Sequence, residues 1–287
     1  MPTITQLTKK IKQLPTLPNV VRRLIELTGN TDSDIKEVLD LIKTDVALTA
    51  QLLKVCNSPF YGLSNQVATI REAVVMLGFK TISRIVISLG PAAYFKSDLS
   101  VYGVSGDDLW RHSVCTAFCC ELLAQKYHPE KDQLAYTAGL LHDVGKLVLG
   151  EYVKKDLKRV LAELVESGNS FIEAEHKVLG MDHGRIGGKI GRHWKFPAAL
   201  VDAIKYHHEP HLAGADPDLC AVTHLANIIA NGIGRETALD SYSNRQSRDI
   251  MKRYNLNDEA LEEIMVKAKY LTDGAASIFM NLKPAVF

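Results

Sequence analysis

The feature that most constrains this chain is an ionisable pair set in an apolar run, Gly139-Leu140-Leu141-His142-Asp143-Val144-Gly145-Lys146. Leu147, Val148 and Leu149 follow it. Neighbours this apolar belong in a core and carry His142 and Asp143 inward with them. A buried carboxylate is costly unless it is paired or binds a metal. Asp143 and His142 are therefore candidate ligands of a divalent cation. Successive helical residues point about 100° apart, so the two can share an ion only near an irregular helix end, which Gly145 supplies. A core histidine beside a capping aspartate is the plainer alternative. The other histidines bear on the choice.

The chain has 287 residues, room for one large domain or two ordinary ones, and 46% of them are hydrophobic, enough for a substantial core. Its 34 basic and 33 acidic residues nearly cancel. That balance offers no general attraction to nucleic acid or to an anionic membrane, and neither is expected as a partner. Residues 1–18 contain charges and prolines but no apolar signal segment. No uncharged apolar run approaches the roughly 18 residues of a membrane span, since residues 73–95 are broken by Lys80 and Arg84. A soluble cytoplasmic protein is expected. The five cysteines include no C-x-x-C pair, which leaves buried structural thiols as their reading.

No segment sustains period-two alternation, so the fold is expected to be all-α. Three parts are expected: an N-terminal helical part (1–100), a helical bundle carrying the His/Asp site (101–234) and a C-terminal helical extension (235–287). Val20, Val21, Leu24 and Ile25 trace one face of a first helix, Ile35, Val38, Leu39 and Ile42 a second, and Leu48, Leu52, Leu53 and Val55 a third that starts at Thr44 or Asp45. Thr69-Ile70-Arg71-Glu72 and Ser170-Phe171-Ile172-Glu173 read as capping boxes. A helix over about 81–89 should stop before Gly90-Pro91, and 97–106 reads as a linker. Ser105 can cap a long helix to Tyr127. Residues 152–167 form an amphipathic helix with Leu157, Val160, Leu161, Leu164 and Val165 inward. Gly184, Gly187, Gly188 and Gly191 in one helix imply close backbone packing, because glycine is otherwise costly there. A polar connection follows Gly234, and a last helix over about 258–272 packs through Leu261, Ile264, Met265 and Tyr270.

Four separate helices thus offer metal-type side chains: Asp108 with His112, His142 with Asp143, His183, and His207 with His208. Mixed imidazole and carboxylate donors suit Fe, Mn, Zn or Ni better than Mg or Ca, and facing helices of a bundle can supply them. Lys146, one turn past Asp143, is placed to meet a phosphate. Each residue also has a plainer role. His207 and His208 suit a helix C-terminus, and Asp108 suits a solvated first turn. His128, His176, His193 and His211 are read as surface or core histidines.

With these motifs assembled, the chain resembles the HDOD-domain proteins, bacterial signalling relatives of the HD phosphohydrolases. The resemblance rests on Leu17-Pro18, Asn57-Ser58, Tyr61-Gly62, Ile70-x-Glu72-Ala73-x-x-x-Leu77-Gly78, Leu109-Trp110-x-His112-Ser113, residues 139–146, His183-x-x-x-Gly187, Trp194-x-x-Pro197 and His207-His208-Glu209-Pro210. It implies an all-α protein that serves signal transduction. Within the wider superfamily, the HD-GYP phosphodiesterases hydrolyse cyclic di-GMP. Their metal residues map onto Asp108, His112, His142, Asp143, His183, His207 and His208, with Lys146 as phosphate contact. Two departures stand out. No Gly-Tyr-Pro follows His208-Glu209, and the last aspartate ligand of the HD enzymes is replaced by Asn227, with His224 one turn earlier as a possible substitute. The first expectation is a regulatory or output module with a divalent metal but without assured turnover. The second is a metal-dependent phosphohydrolase acting on a nucleotide or other phosphoester. No receiver or cyclase domain is recognisable, so the input is expected from another signalling protein or from a small molecule.

Overall fold

Caps and turns set the path of the first hundred residues. The computed structural model of the chain describes residues 4–14, 17–27, 35–92, 102, 105–167, 171–233 and 248–279, and every regular element among them is helical. The first six helices are α1 (Ile4–Gln13), α2 (Asn19–Leu27), α3 (Ile35–Thr44), α4 (Val46–Cys56), α5 (Ile70–Leu77) and α6 (Phe79–Ala92). Asp45 caps α4, its carboxylate accepting from the Leu48 amide at 2.9 Å. Asn57 then stops α4 and closes the following loop, its side-chain amide exchanging two hydrogen bonds with the Val67 main chain. Thr69 caps α5 through the Glu72 amide at 3.2 Å, while the Glu72 carboxylate reaches back to the Ala68 amide at 2.8 Å. The apolar faces of α2, α3 and α4 are buried through Val21, Leu24, Val38, Ile42, Leu48 and Leu52. Helix α6 runs past its expected stop, through Gly90-Pro91 to Ala92. Gly90 faces α2 so closely that a Cβ there would lie 2.7 Å from Val21 Cγ2.

The next helices are α7 (Gly106–Tyr127), α8 (Asp132–Leu141), α9 (Lys146–Ser167), α10 (Phe171–Leu179), α11 (His183–His193), α12 (Ala198–Tyr206), α13 (Pro217–Gly232), α14 (Arg248–Arg253) and α15 (Asp258–Phe279). Helix α7 lies at the centre, packed by α8, α13 and α15. It is buried on almost every side from Leu109 to Ala124. Ser105 caps it in a box completed by Asp108. One hydrophobic core joins these helices to the first six, running from Leu7 to Ala276. Polar contacts reinforce that junction. Arg84 of α6 donates to Glu121 of α7 at 2.7 Å, Lys80 pairs with Glu121 and Asp132, and Ser88 bonds Tyr136 at 2.9 Å.

The glycine face of α11 behaves as expected. A Cβ on Gly187 would lie 2.7 Å from Ile204 Cγ2, and one on Gly188 2.8 Å from Lys205 Cβ, so α11 and α12 approach at backbone distance.

Some expectations need correction. Helix α9 starts at Lys146, directly after the His-Asp turn, and not at Tyr152. Leu161 and Val165 are exposed, because Val153 and Val160 define its inward stripe. Tyr270 is 70% exposed, and the inward side of α15 is carried by Ile264, Ala268 and Ala275. Tyr102, inside the stretch read as a linker, is fully buried: its ring meets Phe171 edge-on. Helix α14 falls in the stretch read as weakly patterned. The second capping residue, Ser170, and most of the polar connection lie outside the described residues. The five cysteines are buried and none is in a disulfide. No single helix among the described residues is long and apolar enough to cross a membrane.

Candidate metal centre

Close helix packing assembles the site. Gly139 of α8 lies against the α7 backbone, where a Cβ would sit 2.7 Å from the Thr116 carbonyl oxygen. This brings His112 Nε2 of α7 to 3.3 Å from His142 Nε2. Helix α8 ends at Leu141, and residues 142–145 form the turn into α9. At that irregular end, Asp143 points inward beside His142, with 3.3 Å between Nε2 and Oδ2. Gly145 closes the turn against α11; a side chain there would collide with the His183 carbonyl oxygen. Asp182 caps α11 through the Arg185 amide at 2.8 Å and presents His183 as the first helical residue. His207 and His208 follow the last turn of α12.

Two buried groups result: His112, His142 and Asp143, and His183, His207 and His208. Asp143 lies between them. Its Oδ2 is 3.3 Å from His142 and 3.8 Å from His112, while its Oδ1 is 3.5 Å from His183 and 3.7 Å from His207. Lys146 Nζ donates to Oδ2 at 2.9 Å.

Hydrogen bonds outside the groups fix the imidazole protons. His142 Nδ1 donates to the Gly139 carbonyl and His207 Nδ1 to the Ile204 carbonyl, both at 2.7 Å. His183 Nδ1 donates to Glu175 Oε2 at 2.7 Å, and the same carboxylate accepts the His183 amide at 2.9 Å. A carbonyl or an ionised carboxylate cannot donate, so these rings carry a proton on Nδ1, and in the neutral form each turns an Nε2 lone pair inward. Metal-binding histidines are characteristically held this way.

Acceptors therefore outnumber donors. Nε2 of His142, His183 and His207 meets the Asp143 carboxylate in one buried space, and Lys146 is the one fixed cation among them. Asp143 Oδ1 and His207 Nε2 have no hydrogen-bond donor among the described residues. Leaving such buried atoms unmatched costs about 1–3 kcal/mol each. Ligand atoms sharing a cation at bond lengths of about 2.0–2.1 Å sit about 3.0–3.4 Å apart, matching the 3.3 Å of the His112–His142 pair and the 3.0 Å of the His183–His208 pair. The residues present thus fit a divalent metal.

Electrostatics agree. Burial alone would raise the Asp143 pKa, but the neighbouring His142 and Lys146 outweigh it and hold the carboxyl well below its usual range. Burial pushes His207 and His208 well below the ordinary histidine value, with neighbouring imidazoles adding to the effect. Neutral His207 and His208 near an ionised Asp143 are in the protonation state a metal requires.

Seven of the nine expected residues, Lys146 included, are brought together. Asn227 Oδ1 lies 3.1 Å from His112 Nε2, at the edge of the first group. Asp108 stays apart: it is exposed and engaged in the cap of α7 with Ser105. His224 joins neither group; its Nδ1 donates to the His207 carbonyl at 2.7 Å and ties α13 to the end of α12. Sequence reasoning missed Glu175 and Tyr102. Glu175 is fully buried behind His183 and accepts the Tyr102 hydroxyl at 2.8 Å. One signal was available: a glutamate among the apolar residues of a short amphipathic helix.

A helical bundle with a buried His/Asp centre defines the class, and comparison names the family. The HDOD domain family matches residues 14–210, and the chain belongs to that family. A solved structure from Shewanella amazonensis, described as a candidate phosphohydrolase, is 25% identical, with a TM-score of 0.72 over 95% of this chain and 97% of its own. One from Marinobacter aquaeolei, described as a candidate signal transduction protein, is 23% identical, with a TM-score of 0.76 over 96% of this chain and 65% of its own. An uncharacterized protein of Treponema pallidum is 26% identical over 79% of this chain and 44% of its own length. The chain spans less than half the length of the curated relatives it matches.

Proposed function

We propose that this chain is a regulatory output module of signal transduction whose HD-like centre holds a divalent metal and has no required turnover. The observation that carries the reading is the surplus of inward lone pairs around Asp143. His112, His142, Asp143, His183, His207 and His208 would hold the ion or ions, with Asn227 completing the edge. Iron, manganese, zinc or nickel suits this donor set. A bound metal would supply Lewis acidity and a fixed positive charge. The protein's own residues position it: Glu175 orients His183, and the Gly139 and Ile204 carbonyls orient His142 and His207.

Two features favour regulation over catalysis. His112, His142, Asp143, Lys146, His183 and His207 are all fully buried, which leaves a substrate little access. Asp143 is also the one carboxylate within the two groups, because Asn227 is neutral, so the site balances little of the charge of two divalent cations. Lys146 is committed to Asp143 and so is not free for a phosphate. The partner is expected to be another signalling protein in the cytoplasm, where five buried cysteines outside any disulfide persist as thiols.

The second reading, a metal-dependent phosphohydrolase, draws on the position of Asp143 between two histidine groups, as two-ion phosphoester chemistry requires. Hydrolysis of bis-p-nitrophenyl phosphate by metal-reconstituted protein separates the two. The regulatory reading predicts no turnover by wild type and gain of activity, if any, only in Asn227→Asp. Turnover by wild type, abolished in His142→Ala/Asp143→Ala, establishes the phosphohydrolase instead.

A further inference from the structure

Away from the metal centre, a cavity of about 310 Å³ lies where the turn after α4 and helix α6 meet α7, α8 and α15. Five aromatic side chains line it: Phe60, Tyr61, Phe118, Tyr136 and Tyr270. Phe60 meets Tyr61 edge-on at 5.0 Å and Tyr270 at 6.4 Å, and Phe118 meets Tyr136 edge-on at 5.5 Å. Tyr270, largely exposed, stands at the mouth.

Size and charge narrow the ligand. Small-molecule sites run from about 300 to 1,000 Å³, so this cavity admits one or two rings and excludes a dinucleotide. Arg84 is the cation on its wall, but its guanidinium is held by Glu121 at 2.7 Å. Lys80 adds a second cation, and Asp132 a second carboxylate, to the same cluster. Two positive and two negative charges cancel, leaving no surplus to hold a phosphate. Ser88 and Tyr136, bonded to each other at 2.9 Å, offer hydroxyls that can donate and accept. Burial pushes the Tyr136 phenol up to about 12 and the Tyr61 phenol above its ordinary value too, so both stay neutral.

We propose that this cavity binds a small, uncharged, planar heteroaromatic molecule of one or two rings, stacked among the aromatic walls with its hydrogen-bonding edge toward Ser88 and Tyr136. Aromatic walls favour such rings by offset and edge-to-face contact. The cavity also has a route to the centre. On α7, Phe118 is six residues from His112, and Tyr136 of α8 is six residues from His142 at its end. A ligand held here bears on the two helices that supply the first histidine group, as the input of a regulatory module must. The binding claim stands on the cavity alone and is independent of the metal.

Saturation-transfer NMR and calorimetry on the full chain test it, with adenine and indole as probes and adenosine 5′-monophosphate as the charged counterpart. Saturation should reach at least one of the two neutral probes, and adenine should bind more tightly than its nucleotide. Thr81→Trp, which fills a half-buried wall position, should abolish binding. Tyr270→Ala, at an exposed position that keeps the variant folded, should weaken it about fivefold. The proposal is overturned if neither neutral probe binds folded wild type at millimolar concentration. It is equally overturned if the nucleotide binds as tightly as adenine, or if binding is reduced in neither variant.

Discussion

Helices α2 to α6 and helices α7 to α13 share one core but are held together differently. In the first group the buried stripes are apolar, and Ser83 and Ser88 are the buried polar residues among those described. Helices α2 to α5 each bury one face and show another to solvent, while α6 is enclosed from Ile85 to Pro91. In the second group α7, α8 and α13 are enclosed on most sides, and histidines, Asp143, Lys146, Glu175 and Asn227 are buried within the group as a whole. A helix that is enclosed all round has no solvent face on which to leave a polar group. Its polar residues must find partners within the fold, and the lone pairs of this one are grouped as a cation could use them. The first region is thus stabilised by area removed from water. The second gives up part of that gain to position chemistry.

Four measurements break or sharpen this contrast. The largest effect is expected from Asp143→Ala, which leaves the Lys146 ammonium buried without a counter-charge. Loss of one member of a buried pair costs about 3–5 kcal/mol, and chemical denaturation of metal-free protein should show it. Adding Lys146→Met should restore most of that loss, because the pair is then removed whole; no restoration would mean that the charge is not the cause. Leu52→Ala in α4 should cost about 3 kcal/mol through the cavity it opens, with metal content unchanged. A drop in metal content would join the two regions more tightly than the contrast allows.

Acidification comes third. His207, His208 and His224 have folded pKa values below the ordinary histidine value, chiefly through burial. The unfolded chain therefore binds protons first as the pH falls through about 6.5. Their contribution is intact above that pH and is lost below it, by at most about 1.4 kcal/mol per pH unit for each histidine. Asp143, whose folded pKa is depressed, adds a further loss only at much lower pH, below its unfolded value of about 3.9. Melting temperatures of chelated protein between pH 7.5 and 5 should fall, and a flat profile would refute the burial of neutral imidazoles. Thr69→Ala should have the smallest effect, about 1 kcal/mol for a lost cap, seen as a modest shift in denaturation midpoint with the centre untouched.

The same contrast decides what the sequence could reveal. Caps and stripes are local, so Asp45, Thr69 and the faces of α2 to α4 were readable from neighbouring residues. The His142-Asp143 turn was readable because apolar flanks and Gly145 are themselves local. Glu175 was not, because its role depends on His183 lying eight residues away across the Gly180 turn, where φ is +75°. Asp108 had two readings in the sequence, because a carboxylate one turn before His112 suits a ligand and a cap equally, and the structure places it in the cap. Ser105, three residues earlier, was the sign that favoured the cap. Val165 and Tyr270 were assigned inward from periodicity alone, which cannot tell an unused apolar face from a packed one.

The central claim is that the inward lone pairs around Asp143 hold a metal. Elemental analysis of untagged protein, with wild type and His142→Ala/Asp143→Ala run side by side, tests it most directly. The account predicts near-stoichiometric iron, manganese, zinc or nickel in wild type and its loss in the double variant. A folded wild type that stays free of metal even after reconstitution, or a double variant that retains the metal, would contradict it.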